Sequence, residues 1–199
     1  MIASHLGPTK LILASSSPYR AQLLEKLRIP FATMSPGVDE TAKAHESPAA
    51  LAQRLACEKS LAIASLHSDA WVIGSDQVAT LGDVRLDKPG TREQAILQLG
   101  LLSGNTVTFH TAVCITHAAK GRCLTEIDTC HVQFRALKQR QIERYVELEM
   151  PLDCAASFKS EGLGITLLER FIGEDPNALI GLPLIRLTRI LAQMGLSLP

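Results

Sequence analysis

An apolar tetrapeptide running into three serines and a proline constrains this chain most: Leu11-Ile12-Leu13-Ala14-Ser15-Ser16-Ser17-Pro18-Tyr19-Arg20. The proline stands where the first helical residue belongs, and Ala21-Gln22-Leu23-Leu24-Glu25-Lys26-Leu27 continues at helical spacing. That order reads as a buried strand, a tight polar turn and a helix N-terminus. Such a terminus presents unpaired backbone N–H groups, here with hydroxyls beside them and Arg20 in the first turn. It suits an anion, a phosphate above all. Ser-Pro is also an ordinary helix start, so this segment alone does not decide between ligand and cap.

Further along, Phe31 to Ser35 reads as a short strand and Pro36 to Thr41 as a loop. Ser47-Pro48 opens a second helix with Leu51, Leu55, Ala62, Ile63 and Leu66 on its apolar stripe. Ala70 to Ser75 is a buried strand ending at Asp76. Thr91 and Gln94 form a capping-box pattern for a helix through Leu101. Thr106 to Phe134 is β-rich, with Ala118-Ala119-Lys120-Gly121 as its turn. Gln139 to Leu148 reads as a helix stopped before Pro151, Gly162 to Leu168 as a strand, and Leu184 to Met194 as a last helix. The expected class is α/β: a mixed twisted sheet flanked by helices, with an antiparallel component.

The 199 residues suffice for one domain, spanning 1–199, or one domain in two lobes. A chain of this length buries roughly 70% of its unfolded surface and needs no staples. Lys and Arg number 20, as do Asp and Glu, so nothing favours a long nucleic acid or an anionic membrane as partner. The five cysteines are scattered and never spaced C-x-x-C, which argues against a zinc site or disulfide framework and for reduced thiols in a cytoplasmic protein. Met1 to Pro8 lacks the pattern of a signal peptide. No apolar stretch approaches the ~20 residues of a membrane span.

Few residues stand out as chemistry. Asp76 directly follows an apolar strand, where ligands bind in α/β sheets; it suits a general base for water, a metal ligand or both, against the common alternative of a loop cap. In the Asp39-Glu40 pair one carboxylate can complete a Mg²⁺ site, or both can belong to a solvated turn. Lys59 and Lys88, each an ordinary surface lysine when taken alone, would with Arg20 give three cations for a triphosphate. Phe158-Lys159-Ser160-Glu161-Gly162-Leu163-Gly164 is polar and glycine-rich without Walker spacing.

Taken together and in order, these segments resemble the Maf family of nucleoside triphosphate pyrophosphatases. The likeness is carried by Leu13 to Arg20, Val38-Asp39-Glu40, Arg54-Leu55-Ala56-Cys57-Glu58-Lys59, Ile73-Gly74-Ser75-Asp76-Gln77-Val78, Lys88-Pro89, Ser103-Gly104 and Gly181-Leu182-Pro183. It implies a Maf/ITPase-like fold with two lobes around a central nucleotide-binding cleft. It also implies hydrolysis of a nucleoside triphosphate to monophosphate and diphosphate with a divalent metal, Mg²⁺ or Mn²⁺. By this resemblance Asp76 is the proton acceptor, Ser15, Arg20, Lys59 and Lys88 bind phosphate, and Glu40 joins Asp76 at the metal.

The commonest pattern of that family has arginine at Tyr19, threonine at Gln77 and Ile-Gln-Gly at Ser160-Glu161-Gly162. The residues here match instead its YceF-like branch, which is similar to 7-methyl-GTP pyrophosphatases. Guanine presents two adjacent donors, N1–H and the exocyclic amine, that one carboxylate such as Glu161 can accept. Methylation at N7 makes the ring cationic, which favours an aromatic face such as Tyr19. Gln77 can serve a ring acceptor. The partner expected is thus a small nucleotide, with a homodimer left open. A dTTP, UTP or broad-specificity enzyme is the alternative. A nucleotide-binding regulator of cell division is the alternative of another class, since the family name is tied to septum inhibition.

Overall fold

The computed structural model describes residues 10–195 and Leu198; the segment Met1 to Pro8 lies outside them. The strand–turn–helix expected at the start is present. Strand β1 (Leu11–Ala14) leads into helix α1 (Pro18–Glu25), whose N-cap Ser17 accepts from the Arg20 N–H. Strand β2 (Ala32–Met34), helix α2 (Pro48–Ala64) and strand β3 (Trp71–Leu81) follow. Next come β4 (Val84–Arg85), helix α3 (Arg92–Leu102) and the long hairpin of β5 (Thr106–His117) and β6 (Arg122–Phe134), turning at Ala118 to Gly121. Helix α4 (Gln139–Glu149), strand β7 (Leu168–Ile172) and helices α5 (Pro176–Ile180) and α6 (Leu184–Gln193) complete the order.

The seven strands form one mixed sheet in the order β2-β1-β3-β5-β6-β7, with β4 beside the far end of β3. β1 pairs parallel with both β2 and β3, and the rest of the sheet is antiparallel. From β1 the chain crosses to β2 through α1, then past β1 to β3 through α2. This reversal of direction creates a crevice beyond the carboxyl end of β1, where α/β sheets bind ligands.

Period-two alternation sorts the side chains between two faces. Leu11, Leu13, Trp71, Ile73, Val113 and Ile115 pack with α1 and α6 on one face. Leu51, Leu55 and Ala56 of α2 pack with Val78, Ala112 and Cys114 on the other. A second large cluster centred on Phe109, Phe134 and Phe158 joins α3 and α4 at the far end of the sheet, so two apolar centres flank the crevice.

Three expectations need correction. β3 does not end at Asp76 but runs to Leu81, because β5 pairs with it through Thr80; a carboxylate interrupts the apolar run without interrupting the ladder. Gly162 to Leu168 is not a strand: Leu163–Leu167 forms a 3-10 helix, and pairing with β6 begins only at Leu168. Leu66 lies past the end of α2 and is 74% exposed, so it is not part of that helix's apolar stripe.

Candidate active site

The cleft is a gap in the sheet. β1 pairs with β3 only as far as Gly74, and the pairing of β3 with β4 begins at Thr80. Between those points the edge of β3 facing β1 and β4 has no strand beside it, and Asp76 to Ala79 line a cavity of about 720 Å³. All of Ser15, Tyr19, Arg20, Glu40, Lys59, Asp76, Gln77, Lys88 and Glu161, the residues singled out from the sequence, border that one cavity.

Lys59 is not a surface lysine. It projects from α2 onto Asp76, Nζ to Oδ1 2.6 Å, with both residues buried (5% and 7% exposed). Its ammonium also meets Glu40 Oε1 at 2.5 Å, from the loop after β2. Gly74 permits this closeness: a Cβ there would lie inside the Ala56 carbonyl and 2.7 Å from the Ser60 nitrogen. Burial raises the pKa of the Glu40 carboxyl, but Lys59, aided by Lys88 and Arg20, outweighs it and holds the group below its ordinary value.

The Glu40 loop is fastened from α2. Arg54 donates from Nε and Nη2 to Glu46, from Nη1 to Glu58 and from Nη2 to the Thr41 carbonyl. The paired guanidinium holds the Glu46 carboxyl at about 2. Asp39, the neighbour of Glu40, turns back to accept from the Thr41 N–H and hydroxyl (2.9 and 2.7 Å).

Opposite, Arg20 is held by the chain's far end. Its Nε donates to the Gly181 carbonyl at 2.8 Å, which also accepts from Ser75 Oγ at 2.9 Å. Ser15 Oγ accepts from the Ser17 N–H and from Arg20 Nη1, leaving its own hydroxyl proton to give. Burial lowers the Arg20 pKa while Asp76 and Glu40 raise it, which places those two carboxylates within its field. Lys88 is exposed on the rim.

Gln77 departs from its expected part. Its amide nitrogen donates to the carbonyls of Ala178 and Leu179 and to the Thr111 hydroxyl. Those donors are spent on the backbone that leads to Gly181, so Gln77 braces the Arg20 side of the cleft.

Tyr19 and Glu161 line the same cavity, as do Asp153, Cys154 and Phe158. The Tyr19 hydroxyl reaches Asp153 Oδ1 at 3.5 Å, and the Lys159 ammonium sits 5.3 Å from its ring centroid. Burial, then the negative field of Cys154 and Asp153, raises the phenol's pKa. Sequence reasoning missed Asp153 entirely and gave Lys159 no role. Both lie more than 130 residues from Tyr19, and only the return of the chain after α4 brings them there.

The donor set fits a hard divalent ion: Glu40 and Asp76 converge on one ammonium, so both carboxylates reach a common point. Mg²⁺ is held by one or two carboxylates with substrate phosphates completing its shell.

Curated proteins share this sequence over nearly its whole length. It is 55% identical to the 7-methyl-GTP pyrophosphatase of Alcanivorax borkumensis over 95% of this chain and 96% of that one. It is 53% identical to the 7-methyl-GTP pyrophosphatase of Xanthomonas axonopodis pv. citri over 96% and 99%. Among solved structures, the Staphylococcus aureus Ham1 protein aligns over 65% of this chain and 74% of that chain, with a TM-score of 0.48 and 15% identity. Residues 10–194 match the Maf-like protein family, and with relatives this similar over this much of their length, the chain belongs to that family.

Proposed function

We propose that this chain hydrolyses 7-methyl-GTP to 7-methyl-GMP and diphosphate. The observation that carries the reading is that one cavity is lined by two groups of residues. In one, Lys59 is held against Asp76 and Glu40, with Arg20 in the field of both carboxylates. In the other, the Tyr19 hydroxyl meets Asp153 and its ring lies beside the Lys159 ammonium. The relatives named for this activity supply the reaction class.

Arg20, Lys59, Lys88 and the Ser15 hydroxyl bind the triphosphate and neutralise the charge that builds on the departing diphosphate. Asp76 accepts a proton from the attacking water. Water oxygen bonds to phosphorus as the α–β anhydride P–O bond breaks, so one water is consumed per monophosphate and diphosphate formed. Glu40 and Asp76 would hold a divalent cation, Mg²⁺ or Mn²⁺, which when bound polarises phosphate oxygens. Lys59 must then exchange one carboxylate for a phosphate oxygen.

Tyr19 and Glu161 choose the base. The Asp153 carboxylate beside the phenol, together with the ring itself, favours a cationic base lying over Tyr19. The Lys159 ammonium already occupies such a position, and a methylated guanine would displace it. Gln77 acts on specificity only through the 177–181 backbone it holds.

Product chromatography over a panel of 7-methyl-GTP, GTP, UTP and dTTP, with Mg²⁺ or Mn²⁺ and with chelator, tests the reading. The expected result is monophosphate and diphosphate, with 7-methyl-GTP the preferred substrate and no turnover in chelator. Stepwise loss of the γ-phosphate, or preference for dTTP, overturns it.

A further inference from the structure

The cysteines that linear spacing sets apart meet in space. On the hairpin, Cys114 of β5 and Cys123 of β6 are diagonal neighbours, because Cys114 pairs with Thr125 and Thr116 with Cys123. Both project towards α2, as the alternation of Ala112, Cys114 and Thr116 requires, and Cys57 on α2 comes down to meet them. The Cys114 and Cys123 Sγ atoms are 3.4 Å apart, and all three sulfurs lie within 4.8 Å of one another. Among the described residues this is the one group of three or more His, Cys, Asp or Glu side chains so gathered.

We propose that Cys57, Cys114 and Cys123 bind one thiophilic d¹⁰ cation, of the Zn²⁺ or Cu⁺ class, at a site separate from the nucleotide cleft. None of the three borders that cavity. Metal–thiolate bonds of ~2.3 Å place tetrahedral sulfurs ~3.8 Å apart, inside the spread found here, so small side-chain movements suffice. Thiolates select soft cations, whereas Glu40 and Asp76 suit hard ones.

The surroundings are those of ligands. Each sulfur has a hydroxyl beside it: Thr125 at 2.9 Å from Cys57, Ser60 donating to Cys114 at 3.2 Å, and Thr116 donating to Cys123 at 3.5 Å. Such outer partners stabilise thiolates and orient them. Cys114 is buried, Cys57 half-buried and Cys123 exposed, so the cluster is a graded funnel with solvent access and an open fourth position. A divalent ion binding three thiols forms three metal–sulfur bonds and releases three protons, leaving a site of net charge −1. A disulfide is the poorer use of the pair: diagonal strand neighbours have Cα atoms roughly 7–8 Å apart, beyond the ~4.4–6.8 Å a disulfide usually spans.

The test titrates the reduced full chain with Cd²⁺ without oxygen, after all five thiols have been counted in denaturant. The expected result is an ultraviolet thiolate-to-cadmium band saturating at one equivalent, reversed by Zn²⁺ in competition and unaffected by excess Mg²⁺. Cys123→Ser, at an exposed position that leaves the fold intact, should weaken binding by more than the about 10- to 100-fold expected from loss of an outer partner alone. Cys57→Ser should do the same, while Cys154→Ser and Asp76→Asn should keep the band. Absence of the band in fully reduced protein, its survival in Cys123→Ser or Cys57→Ser, or its loss in Asp76→Asn overturns the proposal.

Discussion

Lys59 and Asp76 form a buried ion pair whose two members come from opposite sides of one close contact, the helix α2 laid on β3 at Gly74. Removing one member of such a pair leaves a buried charge and typically costs about 3–5 kcal/mol. Here the ammonium has a second partner in Glu40, so the loss of either carboxylate does not strand it.

That arrangement lets Asp76→Asn test both roles proposed for the carboxylate, proton acceptor and cation ligand, without loss of the fold. The amide keeps the shape, and Lys59 keeps Glu40. The variant should fold, retain nucleotide binding and lose about 10²–10⁴ in kcat, the usual worth of a general base. Single-turnover kinetics beside a binding titration separate the effects. A kcat within a few-fold of wild type would remove Asp76 from the proton-transfer step.

Gly74 has to be glycine for a reason of space. Gly74→Ala drives a methyl into the Ala56 carbonyl and towards the Ser60 nitrogen. Backbone cannot swing aside as a side chain can, so α2 must lift from β3. Overpacking costs about 1–3 kcal/mol, and more where backbone must move. The lowered denaturation midpoint should come with a kcat loss, because Lys59 rides on the displaced helix. A variant of normal stability and activity would mean that the contact does not set the Lys59–Asp76 distance.

The strand, turn and helix start that border the cleft were legible in the sequence, for local reasons. Ser17-Pro18 fixes a helix start by dihedral preference and missing N–H, and the apolar run before it can only be a buried strand. The roles expected of Lys59, Asp76 and Glu40 came through resemblance, and their contacts with one another came only from the structure, since no spacing rule joins positions on a helix, a strand and a loop. The strand ending misplaced at Asp76 shows the limit. Apolar patterning reports burial, and a buried carboxylate with its own cation inside the strand breaks the pattern while the ladder continues through β5. Gln77 misled for a related reason: alternation turns it to the face opposite Asp76, where α5 backbone takes its donors. The three-cysteine cluster depends on hairpin register and was invisible to C-x-x-C spacing.

The Arg54–Glu46 pair gives a pH signature. Glu46 has its carboxyl lowered from about 4.5 to about 2, first through the hydrogen bonds from Arg54. A depressed folded-state value means that the group binds protons more readily when unfolded. Its stabilisation is therefore complete above about pH 4.5 and disappears as pH falls through that value towards 2. Melting temperatures of wild type and Glu46→Gln should differ at neutral pH and converge across that window. Because Arg54 also holds the Thr41 carbonyl beside Glu40, the variant should raise KM at neutral pH. A gap in melting temperature that stayed constant with pH would show that the pair contributes nothing through its charge.

Base choice offers the most discriminating measurement. Glu161 is exposed in the lining of the cleft, its one side-chain hydrogen bond among the described residues coming from the Ser160 hydroxyl at 3.5 Å, so its carboxylate is available to a ligand. Against guanine it should accept from two donors. Glu161→Gln removes the charge and turns one acceptor into a donor aimed at a donor, a mismatch that costs roughly 1–3 kcal/mol, or about 5- to 150-fold. The loss in kcat/KM should fall on 7-methyl-GTP and largely spare UTP and dTTP, whose bases lack that pair of donors. Tyr19→Ala should act in the same direction by removing the ring, and more strongly for 7-methyl-GTP than for GTP, since only the methylated base carries a charge for the ring to attract. If Glu161 instead serves only to order the Gly162-Leu163-Gly164 turn, its substitution should depress every substrate alike. Kinetics of both variants on the four nucleotides separate these outcomes, and a uniform fall would leave phosphate-end chemistry intact while removing Glu161 and Tyr19 from base recognition.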